Sequence, residues 1–387
     1  MALPVVRLAE PASERLRRGH LWLFSNELAE GFQDVTPGAL VEVHDAGDGF
    51  FGIGTCNPHS LIAVRLFARE PVEVDAVFFH KKLTAALKLR EAVYLNEKAY
   101  RLIFSEGDGL PGLVIDRYND FFVLLPLTAG IELLLPQVQK ALHGVFPDAK
   151  MLIRRDGAAR AHEGLPIEEL PISNESPVEI EQDGVKFLCD LSHGQKTGFF
   201  FDQRVNRRIV TGFHPQGDVL DLFCHTGGFG FYALKAGANR VVAVDSSEAA
   251  LSLACEGARR NEFDVRWQSV KADTFEWLKT YREKFDWVIL DPPALVQKRS
   301  KIREGERGYR DVNARAMQRV RPGGFLATSS CSGLLTRAKW MELLADSVRK
   351  AKRQAVVICE GTQATDHPVL PAMPETNYLK FAILRMD

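Results

Sequence analysis

The sequence predicts a multidomain α/β protein whose C-terminal part is built on a mainly parallel sheet. Three observations carry this. The chain has 387 residues, more than one ordinary domain holds. From about residue 217 onward, short apolar runs alternate with helical periods, the signature of a parallel sheet covered on both faces. Before that point the strands and helices fall into separate blocks.

Residues 1–72 read as strand-rich. "GALVEVHDAGDGFFGIGTCNPHSLIAVRLF" holds β-rich runs around an Asp-Ala-Gly-Asp-Gly turn, then Asn57-Pro58 and another strand. Residues 73–177 mix types. "AVFFHKKLTAALKLREAVYLN" and "LLLPQVQKALHGVF" are helical in period, and "YRLIFSEGDGLPGLVIDRYNDFFVLLPLT" reads as three strands split by two turns. "GLPIEELPISNESP" has the composition of a linker. Residues 178–387 form the last block. "VEIEQDGVKFLCDL" is a hairpin turning at Asp183-Gly184. Strands then follow at "DVLDLF", "RVVAVD", "FDWVILD", "GFLATSS" and "AVVICE", with helices over 229–235, 248–260, 274–281, 308–320 and 337–350.

Composition excludes several classes. Hydrophobic residues at 46% and charged residues at 26% fit a soluble globular chain. A net charge of −1 gives no general pull on polyanions, so a nucleic-acid site must be a local patch. The six cysteines (56, 189, 224, 255, 331 and 359) contain no CxxC pair, so neither a metal nor a disulfide framework is expected. The first residues hold no apolar signal core, and no apolar run approaches a membrane span. The expectation is a cytoplasmic protein with no membrane partner.

"GDVLDLFCHTGGFGFYAL" is a buried strand, a glycine turn and a helix. Gly227, Gly228 and Gly230 let backbone approach a ligand, the helix N-terminus favours its polar groups, and Thr226 beside them is a further cofactor-binding candidate. Asp245 ends the next strand, where an acid grips a ribose diol. Gly228 to Ala233 matches GxGxxG/A, which admits a dinucleotide such as NAD. Two acids favour S-adenosylmethionine instead. Asp221, before the glycines, is placed to take a cationic amino group, and Asp273 follows a third strand and can accept from adenine. Ser246 lies beside Asp245 in this pocket, although Ser246 and Ser247 also suit the cap of the next helix.

"SSCSG" places Cys331 after one strand, and Asp291-Pro292-Pro293 follows another. In one parallel sheet the thiol and carboxylate would face each other at the ligand-binding end. That pairing suits covalent attack on a pyrimidine ring, whose carbon 5 is a poor nucleophile. Thiolate addition at carbon 6 turns it into an enamine-like one, provided charge at N3 is neutralised. Cys331 is therefore the candidate nucleophile and Asp291 the candidate base-recognition and proton-handling group. No thiol follows Pro292-Pro293, Cys224 reads as packing, and the other cysteines read as core.

The chain resembles the bacterial 23S ribosomal RNA cytosine-5 methyltransferases. The resemblance runs through "RRGHLWLFSNEL", "GIGTCNPHSLIAVR", "EGDGLPGLVIDRY", "GQKTGFFFDQRVNR", "VLDLFCHTGGF", "DPPALVQKRS", "RGYRDVNARAM", "PGGFLATSSCSG" and "DHPVLPAMPETNYLK". It departs at His20-Leu21-Trp22 and at Cys224-His225. The resemblance implies a PUA-like β barrel (1–72), a mixed α/β middle domain (73–177) and a Rossmann-like class I methyltransferase domain (178–387) with a mainly parallel seven-stranded sheet. It implies that Asp221, Gly227, Asp245, Asp273 and Asp291 line the methyl-donor pocket. Lys196, Thr197, Asp202, Gln203 and Arg204 would close over the donor, S-adenosyl-L-methionine. The partner implied is ribosomal RNA of the large subunit; a homodimer is compatible with the sequence, which does not give the oligomeric state.

Candidate RNA contacts are a basic loop after Asp291 (Lys298, Arg299, Lys301, Arg303, Arg307 and Arg310, with Tyr309), Arg17 and Arg18, and Arg154 and Arg155 with Arg160. The alternative function on the same fold is methylation of an exocyclic amine in RNA, which needs no thiol.

Overall fold

The computed structural model describes residues 2–169, 176–192, 194 and 197–387. They fall into two compact units. Within the predicted linker, residues 170–175 lie outside the described residues.

The first unit holds the described residues up to 169 together with 191–192 and 365–376. Its elements begin with β1 (Val5–Arg7), α1 (Glu14–Arg17), β2 (Trp22–Phe24), β3 (Leu40–His44), β4 (Phe50–Cys56) and β5 (Ile62–Ala68). These strands make a five-stranded sheet in the order β1-β3-β4-β5-β2. Its core includes Leu23, Val41, Val43, Cys56 and Val64. The β3–β4 turn forms as predicted: Asp45 Oδ1 accepts the Gly47 and Gly49 N–H groups. The same unit continues with α2 (Ala76–Val93), β6 (Ala99–Phe104), β7 (Leu113–Tyr118), β8 (Phe121–Pro126), α3 (Ala129–Val145) and β9 (Lys150–Ile153). Strands β6 to β9 form a second sheet in sequence order. The apolar stripes of both helices, Phe79 and Leu83 of α2 and Val138 and Leu142 of α3, join its core with Leu102 and Ile115.

The second unit opens with the hairpin β10 (Val178–Gln182) and β11 (Val185–Cys189). Asp183 and Gly184 take φ of 55° and 69° at its turn. Helix α4 (Arg204–Gly212) follows. Then come β12 (Asp218–Leu222), α5 (Gly228–Lys235), β13 (Arg240–Asp245), α6 (Glu248–Arg260), β14 (Trp267–Lys271), α7 (Thr274–Thr280) and β15 (Phe285–Leu290). The last elements are α8 (Ile302–Gln318), β16 (Val320–Ser330), α9 (Arg337–Ala351), β17 (Ala355–Gly361) and β18 (Lys380–Met386). The sheet has seven strands in the order β14-β13-β12-β15-β16-β18-β17. Strands β12 to β16 run parallel, and β18 is antiparallel to β16 and β17. The order reverses between β12 and β15, and such a switch point opens a ligand crevice at the carboxyl ends of the strands.

Asp183 joins the hairpin to the helices around that crevice. Its carboxylate accepts from Arg204 of α4 (2.7 Å), from Arg208 (2.8 Å) and from the Tyr232 hydroxyl of α5. Lys235 donates to its carbonyl.

Three expectations need correction. Helix α8 starts at Ile302 rather than at the predicted 308, so most of the predicted basic loop is helical; a Cβ at Gly305 would sit 2.4 Å from the Leu295 carbonyl. Glycine is there for close packing. The sheet is mainly parallel and seven-stranded as expected, but the predicted strands stop at β17 and do not include β18, which is antiparallel to both its neighbours. Cys359, read as core, lies part-exposed on the edge strand β17 beside exposed Val356, Val357 and Ile358.

Candidate active site

At the carboxyl ends of the parallel strands lies a cavity of about 460 Å³. Asp221, near the end of β12, is 1% exposed and faces it. Its Oδ2 accepts the Gly230 N–H at 2.9 Å. A Cβ at residue 230 would stand 2.6 Å from the Trp267 ring and 3.0 Å from that oxygen, so glycine lets the first turn of α5 close on the carboxylate. Burial pushes the Asp221 carboxyl up to about 8, and repulsion from Asp291 and Asp245 adds to it.

Arg207 of α4 lines the same cavity at 3% exposure. Its guanidinium lies over Phe199 and Phe229, Nη1 donates to Gln182 Oε1 at 3.2 Å, and Nε–H has no partner. The cavity thus contains a buried carboxyl and a buried guanidinium with hydrogen-bonding capacity to spare. These match the ammonium and carboxylate of a free amino-acid moiety, such as the methionine end of S-adenosylmethionine.

The other pocket residues fall as follows. Asp245 ends β13 and accepts the His225 and Ser247 N–H groups, both at 2.9 Å. Asp273 caps α7, accepting from the Glu276 N–H at 2.9 Å, and still lines the cavity. Ser247 caps α6, whereas Ser246 faces the cavity. Thr226 and Gly228 line it; Gly227 stands behind them, with φ of 86° at the start of α5. Asp202 and Gln203 line the cavity with Phe199 and Phe200. Arg204, expected to close over the donor, turns away to Asp183. Lys196 lies outside the described residues.

Asp291 and Cys331 share this cavity. They follow β15 and β16, parallel neighbours paired through Leu290 and Thr328. Asp291 Oδ1 accepts from Gln203 Nε2 (2.8 Å) and from the Ser329 hydroxyl. Cys331 is half-buried, its Sγ 4.0 Å from the Pro292 carbonyl. The loop behind it is fixed by Ser332, whose Oγ meets the Tyr309 hydroxyl (2.9 Å) and accepts the Val296 N–H (3.0 Å). Cys224 is 5% exposed, and burial pushes its thiol well above the ordinary range.

The expected RNA residues divide. Lys298, Arg299 and Arg307 are exposed, and Arg310 is half-buried beside Asp311. Arg17 and Arg18 are exposed near Glu14. Arg154 corrects the expectation: at 2% exposure its guanidinium is held by Asp156 and the Leu191 carbonyl. Arg155 and Arg160 close on Glu132. Tyr309, at 0% exposure, is core and takes no part in a basic face.

Sequence reasoning missed Arg207 and Lys380. Arg207 stands three residues before buried Val210 on the same face of α4, a helical spacing that was available to find it.

A Rossmann-like sheet with an acid-and-glycine pocket at its switch point defines a nucleotide-type group-transfer enzyme. The model of the S-adenosylmethionine-dependent methyltransferase family matches residues 151–357, and that of the PUA-like domain matches residues 6–69. The ribosomal RNA large subunit methyltransferase I of Escherichia coli (strain K12) is 37% identical over 96% of this chain and 97% of its own. The protein of the same name from Aeromonas salmonicida (strain A449) is 38% identical over 98% of each. A putative SAM-dependent methyltransferase from Streptococcus mutans has the same fold, with a TM-score of 0.82 at 22% identity over 99% of this chain and all of its own. A putative methyltransferase solved in complex with SAH superposes with a TM-score of 0.81 at 21% identity over the full length of both chains.

The chain belongs to the S-adenosylmethionine-dependent methyltransferases, and within them to the family of ribosomal RNA large subunit methyltransferase I. Its cofactor is S-adenosylmethionine. The dinucleotide reading of the GxGxxA turn is therefore set aside. No helix among the described residues is long and apolar enough to cross a membrane.

Proposed function

We propose that the protein methylates carbon 5 of a cytosine in 23S ribosomal RNA, with Cys331 as nucleophile and Asp291 as the group that holds the base and handles its proton. The supporting observation is the placement of both side chains at the ends of adjacent parallel strands, in one cavity with Asp221, Asp245 and Asp273. S-adenosylmethionine supplies an electrophilic methyl group on a sulfonium sulfur. Asp221 would hold its ammonium, Arg207 its carboxylate, Asp245 its ribose hydroxyls and Asp273 its adenine amine.

Cys331 thiolate adds to carbon 6, forming a carbon–sulfur bond, while Asp291 supports protonation at N3 and accepts from the exocyclic amine. With the donor bound, carbon 5 would take the methyl group as the sulfonium carbon–sulfur bond breaks and its electron pair stays on sulfur, which leaves as a neutral thioether. Loss of the carbon 5 proton to a base expels the thiolate and restores the ring. Gln203 and Ser329 hold Asp291 in place through the bonds they donate.

In the same reading, residues 1–72 are an RNA-docking domain, 73–177 a middle domain and 178–387 the catalytic domain. Lys298, Arg299 and Arg307 contact phosphates near a groove of about 610 Å³ that is lined in part by Phe275, Pro293 and Lys298. The target cytosine must leave its stack to reach Cys331.

Two measurements test the reading. RNA carrying 5-fluorocytosine at the target should form a denaturation-resistant adduct with the wild-type protein and none with Cys331→Ala. Nucleoside mass spectrometry of the product should show 5-methylcytosine. Product methylated on an exocyclic amine, with Cys331→Ala fully active, would instead establish the amine-directed alternative, which the Asp291-Pro292-Pro293 loop also suits.

A further inference from the structure

We infer that Lys380 is the counter-charge of the Cys331 thiolate, a positioning residue that keeps the sulfur ionised and aimed into the cavity. This rests on the reading of Cys331 as the nucleophile.

Lys380 opens β18 and pairs in register with Ser330, the last residue of β16 before the thiol. It is 4% exposed. Its Nζ donates to the Ser332 carbonyl at 2.6 Å and to the Tyr378 carbonyl at 2.7 Å. An ammonium has three protons, so one remains for a group at the strand end. Carbonyls solvate a cation but do not neutralise it, and no carboxylate among the described residues forms an ion pair with Lys380.

A buried cation without an anion is unfavourable, and an aliphatic side chain would fill the place at lower cost. The neighbouring charges leave one candidate anion. Arg337 repels Lys380 and is itself held by Glu360, whereas the sulfur of Cys331 attracts it. Tyr309 faces the same turn with its hydroxyl on Ser332, and charge on Cys331 opposes its ionisation. Asp291 shares the cavity with Cys331 but is held by Gln203 and Ser329. Burial draws Lys380 down to about 8, and only Cys331 pulls it back up. A cation next to a thiol lowers the thiol's pKa in turn.

The test is the pH dependence of Cys331 alkylation by iodoacetamide, read by mass spectrometry of the peptide that carries it, with neither RNA nor donor needed. The wild-type midpoint should lie below about 8.5, the ordinary value for a free cysteine. In Lys380→Met it should rise by about one pH unit or more, so that alkylation at pH 7 slows about tenfold. Lys380→Arg, which keeps the charge, should stay near wild type. Donor affinity should be unchanged in both variants, which shows the cavity is intact. A Met variant with the wild-type midpoint overturns the assignment, and so does a wild-type midpoint at or above the ordinary value, a result that needs no variant to fold. A Cys331→Ala enzyme that still methylates RNA would sink the nucleophile reading separately and leave the alkylation result standing.

Discussion

In the first unit, the buried guanidinium of Arg90 closes on Asp108 with bonds of 2.6 and 2.7 Å. Arg101 meets Asp116 with two bonds of 2.8 Å, and Arg160 meets Glu132 at 2.7 Å. In the second unit, Asp221 and Lys380 are as deeply buried but meet only backbone groups. The first set of charges is complete within the fold. On the reading proposed above, the second set is completed from outside: by a cationic donor for Asp221 and by an ionised sulfur for Lys380. A buried charge therefore marks a functional site by what it lacks rather than by its burial.

This contrast can be broken at four places. The largest effect is expected on stability in the first unit. Arg90→Met strands Asp108 and should cost about 3–5 kcal/mol in urea unfolding, with donor affinity unchanged. A loss under about 1 kcal/mol would mean that the pair is not structural. Next is Asp221→Asn, which should weaken S-adenosylmethionine by about 2–3 kcal/mol in calorimetric titration and leave thermal stability equal or higher. Loss of stability with intact affinity would reverse the roles assigned to the two regions.

The third effect is a pH profile. The carboxyl of Asp221 is raised to about 8 in the free protein, so it is neutral below that pH and charged above it. Only the charged form pairs with the donor ammonium. Affinity should therefore rise up to about tenfold per unit from pH 6 towards 8 and then level off, with proton release on binding. A flat profile would show that Asp221 is already ionised. The smallest effect is expected for Lys298→Glu/Arg299→Glu. It should weaken RNA binding about tenfold and reduce its salt dependence, with donor affinity kept. Unchanged RNA binding would move the nucleic-acid face elsewhere.

Much of the catalytic half was legible because a parallel sheet buried on both faces writes itself as apolar runs, and Asp221, Asp245 and Asp291 all stand at strand ends. The thiol and carboxylate could be assigned to one sheet edge from the runs before them. What was not legible depended on partners distant in sequence. Arg154 and Arg155 read as an exposed basic pair because nothing local shows the Leu191 carbonyl and Glu132 folding onto them. Lys380 had no reading of its own in the sequence, because its place beside Ser330 is set only when β18 pairs with β16. The start of α8 was not legible, and Gly305 within it serves packing, not a turn.

The clasp at Asp183 has a consequence for behaviour in acid. Although burial opposes it, pairing with Arg208 and Arg204 and the Tyr232 hydroxyl holds this carboxyl below its ordinary 3.8. Its contribution is thus full above that value and fades as pH falls below it. The helix it anchors carries Arg207, and Gln203 lies immediately before it. Acidification should therefore release the hairpin and slacken the donor's seat while the seven-stranded sheet still stands, leaving an enzyme that is folded by circular dichroism yet deaf to its cofactor.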